Sequence, residues 1–319
     1  MFSAREHFKK RLNSFGDRVS RELDFDFSTV TERIETFDEF ENKILKNFKE
    51  GKRLFYRGER INSPDRRLVP TMLRNTNELF MDKDLAILHM NSKFLLDYYE
   101  SLGSFTTVFR NTMGAADENH LYELCAFAQH YYNFSPLIDF SKSLYTSLSF
   151  ALKDKNIFED DIVLFVLEIK DEEDYTNNLD TANLWLKDFS IYASYLDEHD
   201  IKNAVKEIIS NKQLTMSNEF RRHMESLNKR PNPTAKLIDV PTNTRMKFQQ
   251  GVFLLLTDFQ FFNNTYFTKN IREYFSITKY VISKDICAKL KSMIIHDAPW
   301  YEYKFLTDIE AAFKKTVIT

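Results

Sequence analysis

The alternation of apolar and polar positions predicts both helices and strands along the chain. Apolar residues at helical spacing follow Thr36, which forms a capping box with Glu39, and Gly51 fits the end of that helix. Near-continuous apolar runs, typical of strands covered on both faces, occupy residues 161–170 and 252–256. Further strands are predicted at 53–57, 237–240 and 277–282, and further helices at about 82–100, 283–294 and 308–316.

Long helical or irregular stretches separate these strands. This spacing predicts an α+β fold with a small central mixed sheet surrounded by helices. Residues 1–35 are predicted to form a helical or irregular N-terminal extension, and residues 36–319 the main domain. An acidic, helix-rich insertion is predicted at about 171–230.

The central stretch 123–152 is predicted to form a helix, a sharp connection and a second helix. Pro136 cannot continue a helix and makes the residue before it extended. Ser141 or Ser143 is positioned to cap the second helix. Polar residues at the junction of two apolar helices need partners, so this junction is a candidate site.

Composition favours an ordinary globular protein. Hydrophobic residues make up 43% of the 319 residues and the net charge is −3, so the balance gives no general attraction to nucleic acid or an anionic membrane. The charged N-terminus is no secretion signal and no run is apolar enough to span a bilayer, which predicts a cytoplasmic protein without membrane contact. Cys125 and Cys287 are predicted to be free, buried thiols.

Arg57 and Gly58 end a predicted strand and are followed by Glu59. An arginine there can bind a phosphate or carboxylate, and a glycine lets a ligand or another backbone come close. The alternative is that Arg57 pairs with Glu59 or Asp139 and only stabilises the fold. The residues alone leave these two interpretations equally weighted.

The other candidate residues lie in two later clusters. His130 is a candidate general acid or base, although a histidine there also commonly orders a turn. Asp139 and Ser141 are predicted to cap the following helix, whose amides could hold an anion. Arg245, Gln249 and Gln250 precede a strand, and glutamines can recognise amides, ribose hydroxyls or bases. The common phosphate-loop, dinucleotide and metal motifs are absent from the sequence, so no metal is predicted.

Together these motifs resemble the FRG-domain family, named for a Phe-Arg-Gly sequence. The resemblance begins at about Thr36 and extends to the C-terminus. The segments that carry it are 55–59, 68–70 with Arg74, 128–131, 135–141, 148–151, 243–253, 279–282 and 301–313.

The resemblance implies bacterial and phage proteins, some of which are linked to anti-phage defence. The order of motifs also resembles ADP-ribosyltransferases, which would make NAD a substrate. By that likeness Arg57 with Gly58 would hold the pyrophosphate, Ser141 and Thr146 would lie beside the ribose, and Gln249 or Gln250 would take the late position. A glutamate is usual at that late position, so Glu59 would have to supply the carboxylate.

Three functions stay open from the sequence. The chain could be an ADP-ribosyltransferase or NAD glycohydrolase acting as a toxin or defence effector, with Arg57, Glu59, His130 and Asp139 as catalytic candidates. It could instead be a non-catalytic module that senses a nucleotide or nucleic acid. It could also dock a protein partner through the N-terminal extension or the helices of 171–230.

Overall fold

The computed structural model describes residues 30–62, 68, 110–111, 114, 118–131, 135–153, 159–194, 235–256 and 275–299. The helices predicted at 82–100 and 308–316, residues 1–29 of the predicted N-terminal extension and the whole segment 195–230 lie outside the described residues. No helix in the described ranges is both long enough and apolar enough to cross a bilayer.

Within the described residues, the strands form one eight-stranded mixed sheet. They are β1 Val30–Ile34, β2 Leu54–Glu59, β3 Leu137–Ser141, β4 Ile162–Ile169, β5 Tyr175–Thr176, β6 Ala235–Ile238, β7 Gly251–Leu256 and β8 Phe275–Ile282. The order across the sheet is β1-β8-β4-β2-β3-β7-β6-β5. The pairs β1–β8 and β5–β6 are parallel and the other neighbours are antiparallel.

Six helices of the described chain accompany this sheet. The first, α1, has α-helical turns at Phe37–Phe40 and Lys46–Lys49 on either side of a π-helical turn at Glu41–Leu45. The others are α2 Leu121–Tyr131, α3 Leu144–Ala151, α4 Leu179–Ser194, α5 Thr244–Gln249 and α6 Lys284–Asp297. The α+β class with a central mixed sheet is therefore confirmed.

Both faces of the sheet are covered by apolar side chains. On one face Tyr56, Leu164 and Ile282 belong to a cluster that includes side chains of α1, α3 and α6. On the other face Phe55 and Phe165 belong to a second cluster with residues of β3, β6, β7 and β8. Burial on both faces is what the continuous apolar runs of β4 and β7 predicted.

Four elements of the structure are not among the predicted ones, and one of them, β5, lies in the stretch predicted to be a helix-rich insertion. β1 lies within the stretch assigned to the N-terminal extension, so the sheet already begins at Val30. β3 occupies the predicted connection inside the central stretch, and α5 precedes β7. Ser143 is the residue that caps α3, accepting a hydrogen bond from Thr146 N at 3.2 Å. The prediction that Asp139 and Ser141 cap this helix was wrong, because both lie in β3.

The contact between β2 and β3 divides the sheet into two halves. These strands share one registered pair, Tyr56 with Ser141, whereas β2 and β4 are registered over six pairs from Leu54 to Glu59. The side chain of Arg57 then bridges from β2 to Asp139 of β3. We refer to this one-pair contact as the seam.

Candidate functional site

A cavity of about 340 Å³ lies beside the seam. Its volume is in the range usual for small-molecule sites. Nine of the ten predicted site residues border it: Arg57, Gly58, Glu59, His130, Asp139, Ser141, Thr146, Arg245 and Gln249. Residues from β2, α2, β3 and α5 therefore meet around one space, although they are far apart in the sequence.

Arg57 holds two carboxylates of the cavity wall. Its Nε and Nη2 donate to Glu59 Oε1 at 3.1 and 2.7 Å. Its Nη1 donates to the main-chain oxygen of Asp139 at 2.9 Å and lies 2.5 Å from Asp139 Oδ1. Every guanidinium nitrogen is therefore engaged, which favours the interpretation that Arg57 positions carboxylates rather than holding a phosphate.

The electrostatic environment keeps Arg57 charged. The side chains of Arg57 and Glu59 are 11% and 7% exposed, whereas that of Asp139 is 47% exposed. Burial alone would lower the pKa of Arg57, but the charges of Asp139 and Glu59 outweigh it and raise that pKa above its ordinary value. Asp139 is thus the carboxylate of this pair that is more accessible to a ligand.

Gln129 and His130 reach the cavity from α2. Gln129 Nε2 donates to Asp139 Oδ1 at 2.8 Å, so Asp139 is held from a second direction. The ring of His130 packs against Phe253, with ring centroids 5.8 Å apart. The position of His130 in the wall is compatible with the predicted acid–base role, which stays a prediction.

Gly58 is required by the packing of a neighbouring helix. A Cβ built at this position would lie 1.9 Å from the carbonyl oxygen of Ser147 in α3. The close approach predicted for this glycine is therefore made by another backbone. Gly58 still borders the cavity, but its missing side chain is explained without a ligand.

Ser141 connects the start of α3 to the end of α5. Its hydroxyl donates to Gln249 O at 2.6 Å and accepts from Ser143 N at 2.9 Å. Ser141 and Ser143 are 5% and 2% exposed, so the first turn of α3 is closed by buried serine side chains. These serines engage the amides of Ser143 and Thr146, and the expectation that this helix start holds an anion stays a prediction.

Gln249 and Gln250 have different positions. Gln249 is buried beside the cavity, and its Nε2 has no hydrogen-bond partner among the described residues. Gln250 ends α5 in the left-handed region at φ 49°, accepts a hydrogen bond from Lys142 N at 2.9 Å and does not border the cavity. Of the two glutamines, only Gln249 keeps its place in the predicted site.

Thr146 also borders the cavity with an unused polar atom. It is 1% exposed, and its Oγ1 has no hydrogen-bond partner within the described ranges. Buried polar atoms normally have hydrogen-bond partners. A ligand in the cavity could supply the partners that Thr146 Oγ1 and Gln249 Nε2 lack within the described ranges.

The cavity wall carries more cations than carboxylates. Arg60, Lys153 and Arg245 border it together with Arg57, against the carboxylates of Glu59 and Asp139. Arg60 and Lys153 are not among the predicted site residues, although Arg60 directly follows the Arg-Gly-Glu sequence. This excess suits an anionic ligand, and the three cations other than Arg57 are the groups that could hold phosphates.

Two further features of the described chain concern its cysteines and the arrangement of potential metal ligands. Cys125 and Cys287 are free and buried, as predicted. Burial, with the charge of Glu123, raises the pKa of the Cys125 thiol to about 12, so it is an unreactive thiol at neutral pH. Among the described residues, no group of three or more His, Cys, Asp or Glu side chains is arranged to hold a metal ion.

The fold and the site together define a class of protein, an α+β protein with a charged cavity at the centre of its sheet. Residues 52–160 match the family model of the FRG domain, so this part of the chain is similar to that family. Over this range the match confirms the resemblance drawn from the sequence, and it covers β2, α2, β3 and α3. Arg245 and Gln249 lie beyond it. No curated protein and no solved structure matches the chain.

Proposed function

We propose that the cavity binds an NAD-type dinucleotide and catalyses ADP-ribosyl transfer or NAD hydrolysis. The observation that carries this proposal is the wall itself, in which two carboxylates fixed by Arg57 face the same space as three further cations. Cations suit the pyrophosphate, and carboxylates suit the positive charge that develops on the ribose.

The reaction would break the bond between ribose C1′ and the nicotinamide nitrogen. Nicotinamide leaves as a neutral molecule with the bonding electron pair, and C1′ gains a bond to the oxygen of water or of an acceptor. Asp139, the more accessible carboxylate, would stabilise the ribose charge together with Glu59. The proton of the nucleophile would pass to a carboxylate or to His130.

The proposed assignment moves the pyrophosphate away from Arg57. Arg245, Arg60 and Lys153, which border the cavity together with Arg57, are the groups proposed to bind the phosphates. Thr146 and Gln249 would complete their hydrogen bonds with ribose hydroxyls or an amide of the ligand.

Nicotinamide release from NAD tests this proposal directly. We expect release by the purified protein, and a loss of about a hundredfold or more in kcat for Asp139→Asn, because a charge acting in the transition state is removed. Glu172→Gln is the matched control, since Glu172 is exposed and pairs with Arg53 outside the cavity. Absence of release with every acceptor mixture, or full activity in Asp139→Asn, would contradict the enzyme proposal.

A second candidate is a module that binds a nucleotide without chemistry. It is favoured by the buried glutamine at the position where an ADP-ribosyltransferase would have a glutamate, and by the firm pairing of Glu59 with Arg57. A thermal-shift series with NAD, ADP-ribose and ATP separates the two, because a ligand that binds only the folded state raises the Tm. Binding that Arg245→Ala weakens, without nicotinamide release, supports this candidate.

The biological setting follows from the same proposal. An NAD-consuming effector would lower cellular NAD, which is the basis on which we propose a role in anti-phage defence. Growth and NAD content in phage-challenged bacterial cells that express the chain or its Asp139→Asn variant test that role. Equal NAD content in both strains would argue against it.

A further inference from the structure

A second cavity, of about 110 Å³, lies between α1 and the sheet. Its floor comes from β2, β4 and β8, and its roof includes Lys43 and Ile44 of the π-helical turn. Single π-helical turns inside α-helices are frequent at functional sites. Tyr56 borders both cavities, but α1 and β8 contribute only to this one.

The floor of this second cavity breaks the apolar pattern of its face of the sheet. Leu54, Glu168 and Ser276 are neighbours in one row across three strands, and Tyr56, Val166 and Thr278 form the next row. Farther along the same face the positions are apolar and buried, as at Ile162, Leu164 and Ile282. Glu168 is exposed and Ser276 and Thr278 are half-buried, so a ligand can reach this end of the face from solvent.

Several polar groups of this floor are unused. Within the described chain, the side chains of Glu168, Ser276 and Thr278 make no hydrogen bond or ion pair. The hydroxyl of Tyr56, a residue only 1% exposed, also has no partner there. The Tyr56 ring packs edge-on against Phe48 of α1 with centroids 5.9 Å apart, so this side chain is directed toward α1 and the second cavity.

The charge balance leaves Glu168 as the carboxylate without a counter-ion. Lys43 borders the cavity but is paired with Glu32 at 2.9 Å. Lys52 donates to Asn47 Oδ1 at 2.7 Å and does not border the cavity. No cation of the described residues lies within salt-bridge distance of Glu168.

We infer that the second cavity binds a small primary ammonium compound. The ammonium group offers three donors, which match the carboxylate of Glu168 and the hydroxyls of Ser276 and Thr278. The short apolar part of the ligand would contact Leu54 and Val166. The space equals the liquid volume of about four water molecules, so the ligand has only a few non-hydrogen atoms.

Ethylammonium chloride and alanine are the probes, because both carry the ammonium group and only alanine adds a carboxylate. Ethanol, sodium propionate and sodium chloride are their counterparts without the ammonium. We expect both ammonium probes to raise the Tm of the full chain at millimolar concentration and to shift amide NMR signals of β4 and β8, with no such effect from the counterparts.

Two variants locate the binding. Glu168→Gln keeps the shape but removes the charge, and we expect it to weaken binding about tenfold or more. Thr278→Leu fills the floor and should abolish binding in a folded protein. Glu172→Gln, an exposed carboxylate outside both cavities, should bind as the wild type does.

Three results would overturn the inference. They are no response to either ammonium probe, an equal response to ethanol, and unchanged binding in Glu168→Gln. Nicotinamide release is measured in the same variants, and the inference on the second cavity holds or fails independently of that activity.

Discussion

At the scale of single residues, Arg57 and Gly58 are adjacent and have different roles. Arg57 joins β2 to two carboxylates of the cavity wall, whereas Gly58 gives the backbone of α3 room to approach β2. The sequence predicted that both residues matter and left open whether ligand or protein is their partner. In the structure both residues contact protein atoms.

Gly58→Ala is predicted to destabilise the protein by about 1–3 kcal/mol or more, because the new Cβ would overlap the Ser147 carbonyl. Gly251→Ala is the matched control, since a Cβ there meets its nearest atom at an ordinary 3.6 Å. Urea unfolding of the two variants measures the difference. Equal stabilities would contradict the packing role of Gly58.

Arg57→Lys is predicted to lower the free energy of unfolding by about 1–3 kcal/mol, because one ammonium cannot hold both Glu59 and Asp139. Arg53→Lys provides the comparison, as Arg53 is 43% exposed and pairs with the exposed Glu172. We expect about 1 kcal/mol or less there. Denaturant titration at neutral pH distinguishes the two, and similar losses would mean that Arg57 has no special bridging role.

At the scale of elements, the predictions were most accurate where hydrophobicity was strongest. The capping box at Thr36 and the buried strands β4 and β7 are confirmed, because continuous apolar runs and cap residues are local signals. β1 was missed since the edge strand carries Glu32 and Arg33. β3 was missed because Pro136, Asp139 and Ser141 resemble a helix connection, while its pairing with β7 is a long-range contact.

Ser143→Ala is predicted to cost about 1 kcal/mol, because α3 loses the side chain that accepts from Thr146 N. Ser143→Thr keeps the hydroxyl and should retain most of the stability. Thermal unfolding followed by circular dichroism checks both variants. A fully stable Ser143→Ala would show that the cap is dispensable for this helix.

At the scale of the whole molecule, the strand order could not be derived from local pattern. β1 lies beside β8, and β3 lies between β2 and β7, so most neighbours are distant in sequence. The convergence of Arg57, Asp139 and Gln249 was predicted through the motif resemblance. The positions of Arg60 and Lys153 in the cavity wall could not be predicted. A charged residue in a polar stretch of sequence resembles any surface residue and gives no sign of a site.

Asp161 joins three parts of the fold and gives a pH-dependent prediction. Its carboxylate accepts from Arg33 Nη1 of β1 at 2.7 Å and from Lys284 N of α6 at 3.1 Å. Partial burial alone would raise the pKa of Asp161, but these two hydrogen bonds outweigh it and lower the pKa below its ordinary 3.8. A lowered carboxylate pKa stabilises the fold fully above the unfolded-state value and loses that effect as pH falls through the folded-state value.

Asp161→Asn is therefore predicted to be less stable than the wild type at neutral pH, with a difference that vanishes as the pH falls below 3.8. Urea unfolding of both proteins across this acidic range measures it. A difference that stays constant with pH would mean that the charge of Asp161 does not contribute.

The seam between β2 and β3 has a mechanical consequence. In a fully paired sheet, strain is distributed over many registered residue pairs. Between β2 and β3 it is carried by the Tyr56–Ser141 pair and by the guanidinium of Arg57. Opening of the sheet is therefore expected to begin there. A molecule bound in the adjoining cavity and in contact with both halves would oppose their separation.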